Sequence, residues 1–210
     1  MSPRAYNRTG RRESVDETRR RIFEAARQLL SGSSGQETFS VDAVAREAGV
    51  ARATVYYQLG SRAGLIEAFF DHLAQSASLV AGIGMAMSNA DPAGAVAALI
   101  SAFHGFWGND RTVLRRIRAM GALDAELGEL LAARNGRRKH LAAVILDRAT
   151  GAGYELALPR EDAVDLLWTL SDFEIYDTLA ESRPAKDVTE MLVGVAMRSL
   201  FTDRSEPTAP

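Results

Sequence analysis

Arg52, Ala53, Thr54, Tyr56, Tyr57 and Gln58 stand within seven consecutive residues that offer a single aliphatic core candidate, Val55. A guanidinium, a hydroxyl, two phenols and an amide in so short a stretch are the groups that recognise nucleic acid. The guanidinium suits guanine edges or phosphate, the hydroxyls suit phosphate oxygens, and the amide suits adenine or the sugar-phosphate backbone. Other chemistries find little support. The chain has no cysteine, its histidines His72, His104 and His140 are too far apart for a local metal motif, and no glycine-rich phosphate loop is present. Ser33-Ser34 has no recognisable base beside it. The expectation is a protein that is not an enzyme and needs no cofactor or metal.

Such a stretch needs elements that present it. Periodicity makes the chain all-α, with no convincing alternating run and no repeat. Ser14 with Glu17 reads as a capping box that opens a first helix, whose face is Ile22, Ala26, Leu29 and Leu30 and whose end is Ser31 to Gly35. Ser40 caps a second helix, with Asp42 in its first turn and Phe39 placed to staple onto Val44. Gly49 supplies the left-handed residue of a sharp turn, and Val50 plugs it. A third, short helix follows from about Ala51 to Gln58, too poor in apolar residues to be explained by packing. Two short helices joined by a Gly-containing turn form a helix-turn-helix, whose second member enters the DNA major groove.

Charge is distributed accordingly. Over the whole chain 25 basic residues meet 27 acidic ones, yet residues 1–62 hold 11 Arg against 7 acids, net +4, and the remainder is net −6. Arg4, Arg8, Arg11 and Arg12 read as a flexible basic arm. The absence of cysteine fits a reducing cytoplasm, and no run of about 20 residues is apolar enough for a membrane span.

The wording of this region resembles the DNA-binding domain of TetR-family transcriptional regulators. Thr18 to Ala26, Ser40 to Val50 and Ala51 to Arg62 carry the resemblance, in an order and spacing that are specific and that extend over about residues 15–75. The resemblance implies that Thr54, Tyr56 and Tyr57 grip phosphates or base edges, that Arg52 and Ala53 read bases, and that Arg62 stands for a phosphate-binding lysine at the start of the fourth helix. Ser40 and Gln58 complete the expected contact set. The sequence departs from the family pattern at Ala51, where a Ser or Thr cap is usual, at Gln58-Leu59, where His-Phe is common, and at Gln36, where an aromatic is common.

The expected organisation is a flexible basic arm at 1–13, a helix-turn-helix domain at 14–62, a helical effector-binding and dimerisation domain at 63–203 whose helix 63–80 connects the two, and a disordered tail at 204–210. Further helices are expected at about 92–107, opened by Asp91-Pro92, and at 111–119, 123–150, 160–182 and 186–202. The polar run Arg134 to Lys139 reads as a solvated helix face. By resemblance the body binds a small molecule and dimerises through its last two helices, with Leu166, Leu170, Phe173, Val188, Leu192 and Val195 as the interface. Phe103, His104, Trp107, Met120, His140, Trp168 and Tyr176 are the candidates for an effector pocket, which suits an apolar or aromatic ligand. The resulting expectation is a cytoplasmic, homodimeric repressor that binds a palindromic operator in double-stranded DNA and is released by a small effector, with no membrane partner. The competing class is a helical protein-interaction module without sequence-specific DNA binding.

Overall fold

The computed structural model describes residues 8–32 and 39–202, with side chains from Val15 onward. Residues 1–7 of the expected arm, Gln36 and the tail at 204–210 lie outside these residues. All regular structure among the described residues is helical, in eleven helices, beside one isolated bridge between Leu156 and Phe201. No helix among them is long and apolar enough to cross a membrane.

The first compact unit runs up to His72 and includes 112–127. Helix α1 spans Arg8–Ser31, so Ser14 is not its cap and residues 8–13 are helical rather than a flexible arm. The physical reason is propensity: Arg and Glu dominate the stretch after Gly10, and straight-chain residues lose little rotamer freedom in a helix. Gly32, at φ +84°, ends α1. Helices α2 (Val41–Glu47) and α3 (Arg52–Leu59) follow, then α4 (Arg62–Ser76). Their core is Ile22, Phe23, Ala26, Leu29, Val44, Ala45, Val55, Leu65, Ile66 and Phe69, all buried, and the Phe23 ring lies 6.0 Å from Phe69 and 4.9 Å from His72.

The expected single helix over 63–80 is two helices. Helix α4 stops at Ser76, Ser78 adopts φ +55°, and α5 (Leu79–Ser88) starts afresh. Ser76 and Ser78 flank the break, and serine competes with the helical backbone for its own hydrogen bonds.

The second unit comprises 73–111 and the chain from Gly128 onward. Asp91 caps α6 (Pro92–Asn109), accepting from Ala93 N–H at 3.2 Å and Gly94 N–H at 3.0 Å, with proline in the first turn as expected. Helices α7 (Arg111–Gly121), α8 (Ala125–Gly151), α9 (Arg160–Leu170), α10 (Phe173–Leu179) and α11 (Ala185–Leu200) complete the chain. The helix expected over 160–182 is therefore interrupted at Ser171-Asp172. Asp172 accepts the Glu174 N–H at 2.9 Å and caps α10.

That interruption frees carbonyls in the interior, and three side chains meet them. Trp107 Nε1 donates to the Ser171 carbonyl at 3.0 Å, His104 Nε2 to the Leu170 carbonyl at 3.0 Å, and Arg138 to the Trp168 carbonyl. Arg138 also reaches Ser171 Oγ at 2.9 Å and the Asp172 carboxylate, and only 2% of it is exposed. The run Arg134 to Lys139 is therefore not simply a solvated face. Arg138 continues the buried stripe of Ala142, Ile145 and Ala149 backward by one helical turn.

Candidate nucleic-acid interface and effector cleft

Helix α3 has only Val55 and Leu59 buried, and these two anchor it. Everything else on it faces outward or sits at the margin, because a helix of eight residues with two apolar positions has no second face to bury. Arg52, Ala53, Tyr56 and Tyr57 are exposed, Tyr57 to 85%, while Thr54 and Gln58 are half-buried. A tyrosine that far in solvent contributes little to packing.

The turn that aims α3 is built in detail. Ser40 Oγ accepts the Ala43 N–H at 3.1 Å, which fixes the start of α2 and places Ser40 at that helix end rather than among the α3 side chains. Gly49 takes φ +62°. Arg21 of α1 donates to the carbonyls of Ala48 and Gly49, the latter at 3.0 Å, and a Cβ on Gly49 would come within 2.9 Å of its guanidinium. Arg21 is a positioning residue that the sequence did not single out, since its Gly49 partner lies 28 residues away. Ala51 makes no side-chain cap for α3, in agreement with the departure from the family pattern.

Two of the expected contact residues are already engaged. Arg52 forms a bidentate pair with Asp42 at 3.1 and 3.2 Å and lies over the Tyr56 ring at 5.3 Å, both charges being more than half exposed. Arg62, in the first turn of α4, pairs with Asp124 and reaches Met120 Sδ at 3.6 Å. Ser61 Oγ accepts the Gly64 N–H at 3.0 Å, and a Cβ on Gly64 would meet the Leu59 carbonyl at 2.2 Å, so a glycine is required where α4 passes the end of α3. Gln58 Oε1 is buried without a hydrogen-bond partner among the described residues, so a two-atom adenine contact needs its amide to turn.

In the second unit an open cleft of about 600 Å³ lies between α6, α10 and α11. Of the seven pocket candidates, His104 and Tyr176 line it, together with Ser101, Asn109, Lys186 and Thr189 among others. The aromatic expectation is not what this cleft offers. Phe103 and Trp107 are buried in a cluster with Phe106 and Phe173, with ring separations of 4.7 to 5.9 Å, and Trp168 stacks with Arg138 and Lys139. Met120 belongs to the first unit beside Arg62, and His140 is exposed on α8.

His104 is 1% exposed. Its Nε2 faces a carbonyl, which only accepts, so that nitrogen carries the proton, and Nδ1 meets Thr189 Oγ1 at 3.1 Å. Burial, above all, pushes this imidazole down to about 4, against the opposing pull of the Leu170 carbonyl. Burial likewise raises the Tyr176 phenol.

The expected interface residues divide by burial. Leu170, Phe173, Val188 and Leu192 are covered within a single chain, whereas Leu166 and Val195 remain partly exposed. Side chains already covered by their own chain have little area left for a partner, so Leu166 and Val195 offer the larger share of free apolar surface.

Residues 22–69 match the family described as bacterial regulatory proteins, tetR family. No curated protein matches the chain. Among solved structures, the TetR family transcriptional regulator PfmR from Thermus thermophilus is 21% identical with a TM-score of 0.61, over 88% of this chain and 97% of that one. A TetR transcription regulator from Haloarcula marismortui is 15% identical with a TM-score of 0.68, over 90% of this chain and 98% of that one. The transcriptional regulator FadR from Bacillus subtilis in complex with stearoyl-CoA is 14% identical with a TM-score of 0.63, over 85% and 97%. At such identities the likeness is one of fold. The family match falls on the helix-turn-helix itself, so residues 22–69 are similar to the DNA-binding domain of the tetR family of bacterial regulatory proteins, and the fold shared with these structures continues through the helical body.

Proposed function

We propose that this protein is a cytoplasmic, non-enzymatic transcriptional repressor that binds a palindromic operator as a homodimer and is released by a small molecule. The observation that carries the DNA-binding part is the outward face of α3, where Arg52, Ala53, Thr54, Tyr56 and Tyr57 surround two buried anchors. Thr54, Tyr56 and Tyr57 hold phosphates, Arg52 and Ala53 meet base edges, and Arg62 and Gln58 hold the backbone on either side. Ser40, whose Oγ accepts the Ala43 N–H at the start of α2, keeps its hydroxyl proton for a phosphate of the same strand.

Dimerisation follows from reach. One short recognition helix reads too few base pairs for a useful site, and two related by a twofold axis read a palindrome whose half-sites lie about 34 to 36 Å apart. Leu166 on α9 and Val195 on α11 are the apolar residues of the expected interface that retain area for a partner chain.

The effector enters the cleft of α6, α10 and α11, which places the Ser101 hydroxyl, the Asn109 amide and the charged Lys186 and Glu190 around a space of drug-like size. This moves the proposal from an apolar ligand toward one with hydrogen-bonding groups. That FadR was solved with stearoyl-CoA supports a ligand-responsive body in this fold. The ligand controls DNA only by preferring a dimer geometry that no longer fits successive major grooves, and a 100-fold preference supplies about 2.7 kcal/mol per site.

Selection of duplex fragments by the purified protein tests the DNA part. Enrichment of palindromic sites supports it, and a helical interaction module would enrich none. A thermal-shift screen of polar small molecules, repeated with the selected duplex present, tests the effector part: stabilising ligands that leave DNA affinity unchanged contradict induction by release.

A further inference from the structure

We infer that Asp124, in the turn before α8, restrains DNA binding by occupying the Arg62 guanidinium. The inference rests on the DNA-binding reading of α3 and adds a residue that no part of that reading uses.

Arg62 and Asp124 are 62 residues apart in sequence, and in the first unit they form an ion pair in which each side chain is about one-third exposed. The two oxygens of Asp124 have separate duties. Oδ1 accepts the Leu127 N–H at 3.2 Å and caps α8, while Oδ2 accepts from Arg62 Nη1. The Leu127 N–H first, with Arg62 adding to it, holds this carboxyl below the usual carboxylate range, so it is ionised at neutral pH.

A DNA phosphate asks for the same donors. To give Arg62 to a phosphate the protein must loosen the Asp124 contact and leave a carboxylate near the polyanion. If the pair stays intact, the phosphate meets a neutral unit instead of a cation. Both routes weaken binding relative to a chain with Arg62 alone, and both lower the net release of counterions. The Arg52–Asp42 pair is the internal contrast, since both its charges are more than half exposed and better screened. Local spacing in the sequence carries no sign of the Arg62 partner, because that partner lies in another helical hairpin.

Asn and Ser are as good as Asp at helix N-caps, so Asp124→Asn and Asp124→Ser remove the charge and keep the α8 start. Full-length wild type, both variants, Arg62→Ala and Arg62→Ala/Asp124→Ser are titrated with a duplex selected by the wild type and with a mixed-sequence duplex, at several salt concentrations. Each single Asp124 variant is expected to bind both duplexes about two- to fivefold more tightly, as expected for release of a partly exposed pair. The slope of log affinity against log salt steepens by up to about 0.9. No gain is expected in the Arg62→Ala background. Unchanged or weaker binding by both Asp124 variants overturns the inference and makes Asp124 a prop for Arg62 instead. A gain that persists without Arg62 overturns it too, as a general effect of removing an acid. Failure of every protein in the series to bind any duplex overturns the DNA-binding reading itself, which separates the two failures.

Discussion

At the scale of single residues, the proposed DNA contacts of Tyr57 and Arg62 are of two kinds. Tyr57 is 85% exposed and unsupported by packing, so Tyr57→Phe, which removes only the hydroxyl, is expected to weaken binding on every duplex alike without changing the melting temperature. Arg62→Ala is expected to do the same and to flatten the salt dependence, by an amount reduced because Asp124 already shares that charge. Arg52→Ala is expected to relax base preference as well, by about 1 to 3 kcal/mol at the positions it reads. Competition binding with a panel of single-base variants of the selected duplex separates these outcomes. His104 makes a different prediction. Its folded pKa of about 4 lies below the ordinary 6.5, so between those values the unfolded chain binds a proton that the folded chain does not. Stability is therefore intact above about pH 6.5 and falls as pH drops toward about 4, by about 3 kcal/mol at most. Urea unfolding across that range is expected to show a decline that His104→Asn flattens.

Individual elements show why part of the fold is legible in sequence. Helices α2 and α3 and the start of α6 are announced by Ser40, Gly49 and Asp91, whose effects are local to the neighbouring turn of chain. The end of α4 and the break between α9 and α10 are not, because a continuous apolar face from Leu166 to Leu179 outweighs the local signal of Asp172 followed by Glu174. What stabilises that break comes from elsewhere in the chain: Trp107 and His104 on α6 and Arg138 on α8. The same limit explains the site. The outward face of α3 follows from its own composition, whereas Gly49, Asp124 and Asp172, the partners of Arg21, Arg62 and Arg138, lie 28 to 62 residues away and only the folded chain brings them together. Replacing Arg138 with Met takes the buried cation away from the Asp172 carboxylate, which keeps the Glu174 N–H, and from the Trp168 carbonyl, which keeps the Ser171 hydroxyl. Loss of about 3 to 5 kcal/mol is expected, read by urea unfolding. Arg138→Met/Asp172→Asn is expected to recover part of it, because the uncompensated charge goes too.

For the whole molecule, the basic N-terminal third draws the chain to DNA and the acidic remainder does not. In the proposed homodimer, the twofold axis sets how far apart the two copies of α3 lie. Val195→Asp and Leu166→Asp put a charge on the partly exposed apolar area of the last helices and are expected to give folded monomers by sedimentation. Leu192→Asp buries an unpaired charge in the chain's own core and is expected to unfold it instead. The central claim is that α3 reads DNA in symmetric pairs. Its most direct test is the affinity of the wild-type protein for a duplex selected from a random pool, measured against salt concentration and against the same duplex with one half-site scrambled. The account predicts a palindromic selected site, a log affinity that falls linearly with log salt, and a large loss when one half-site is scrambled. A pool that yields no enriched sequence, or binding that does not respond to salt, would contradict it.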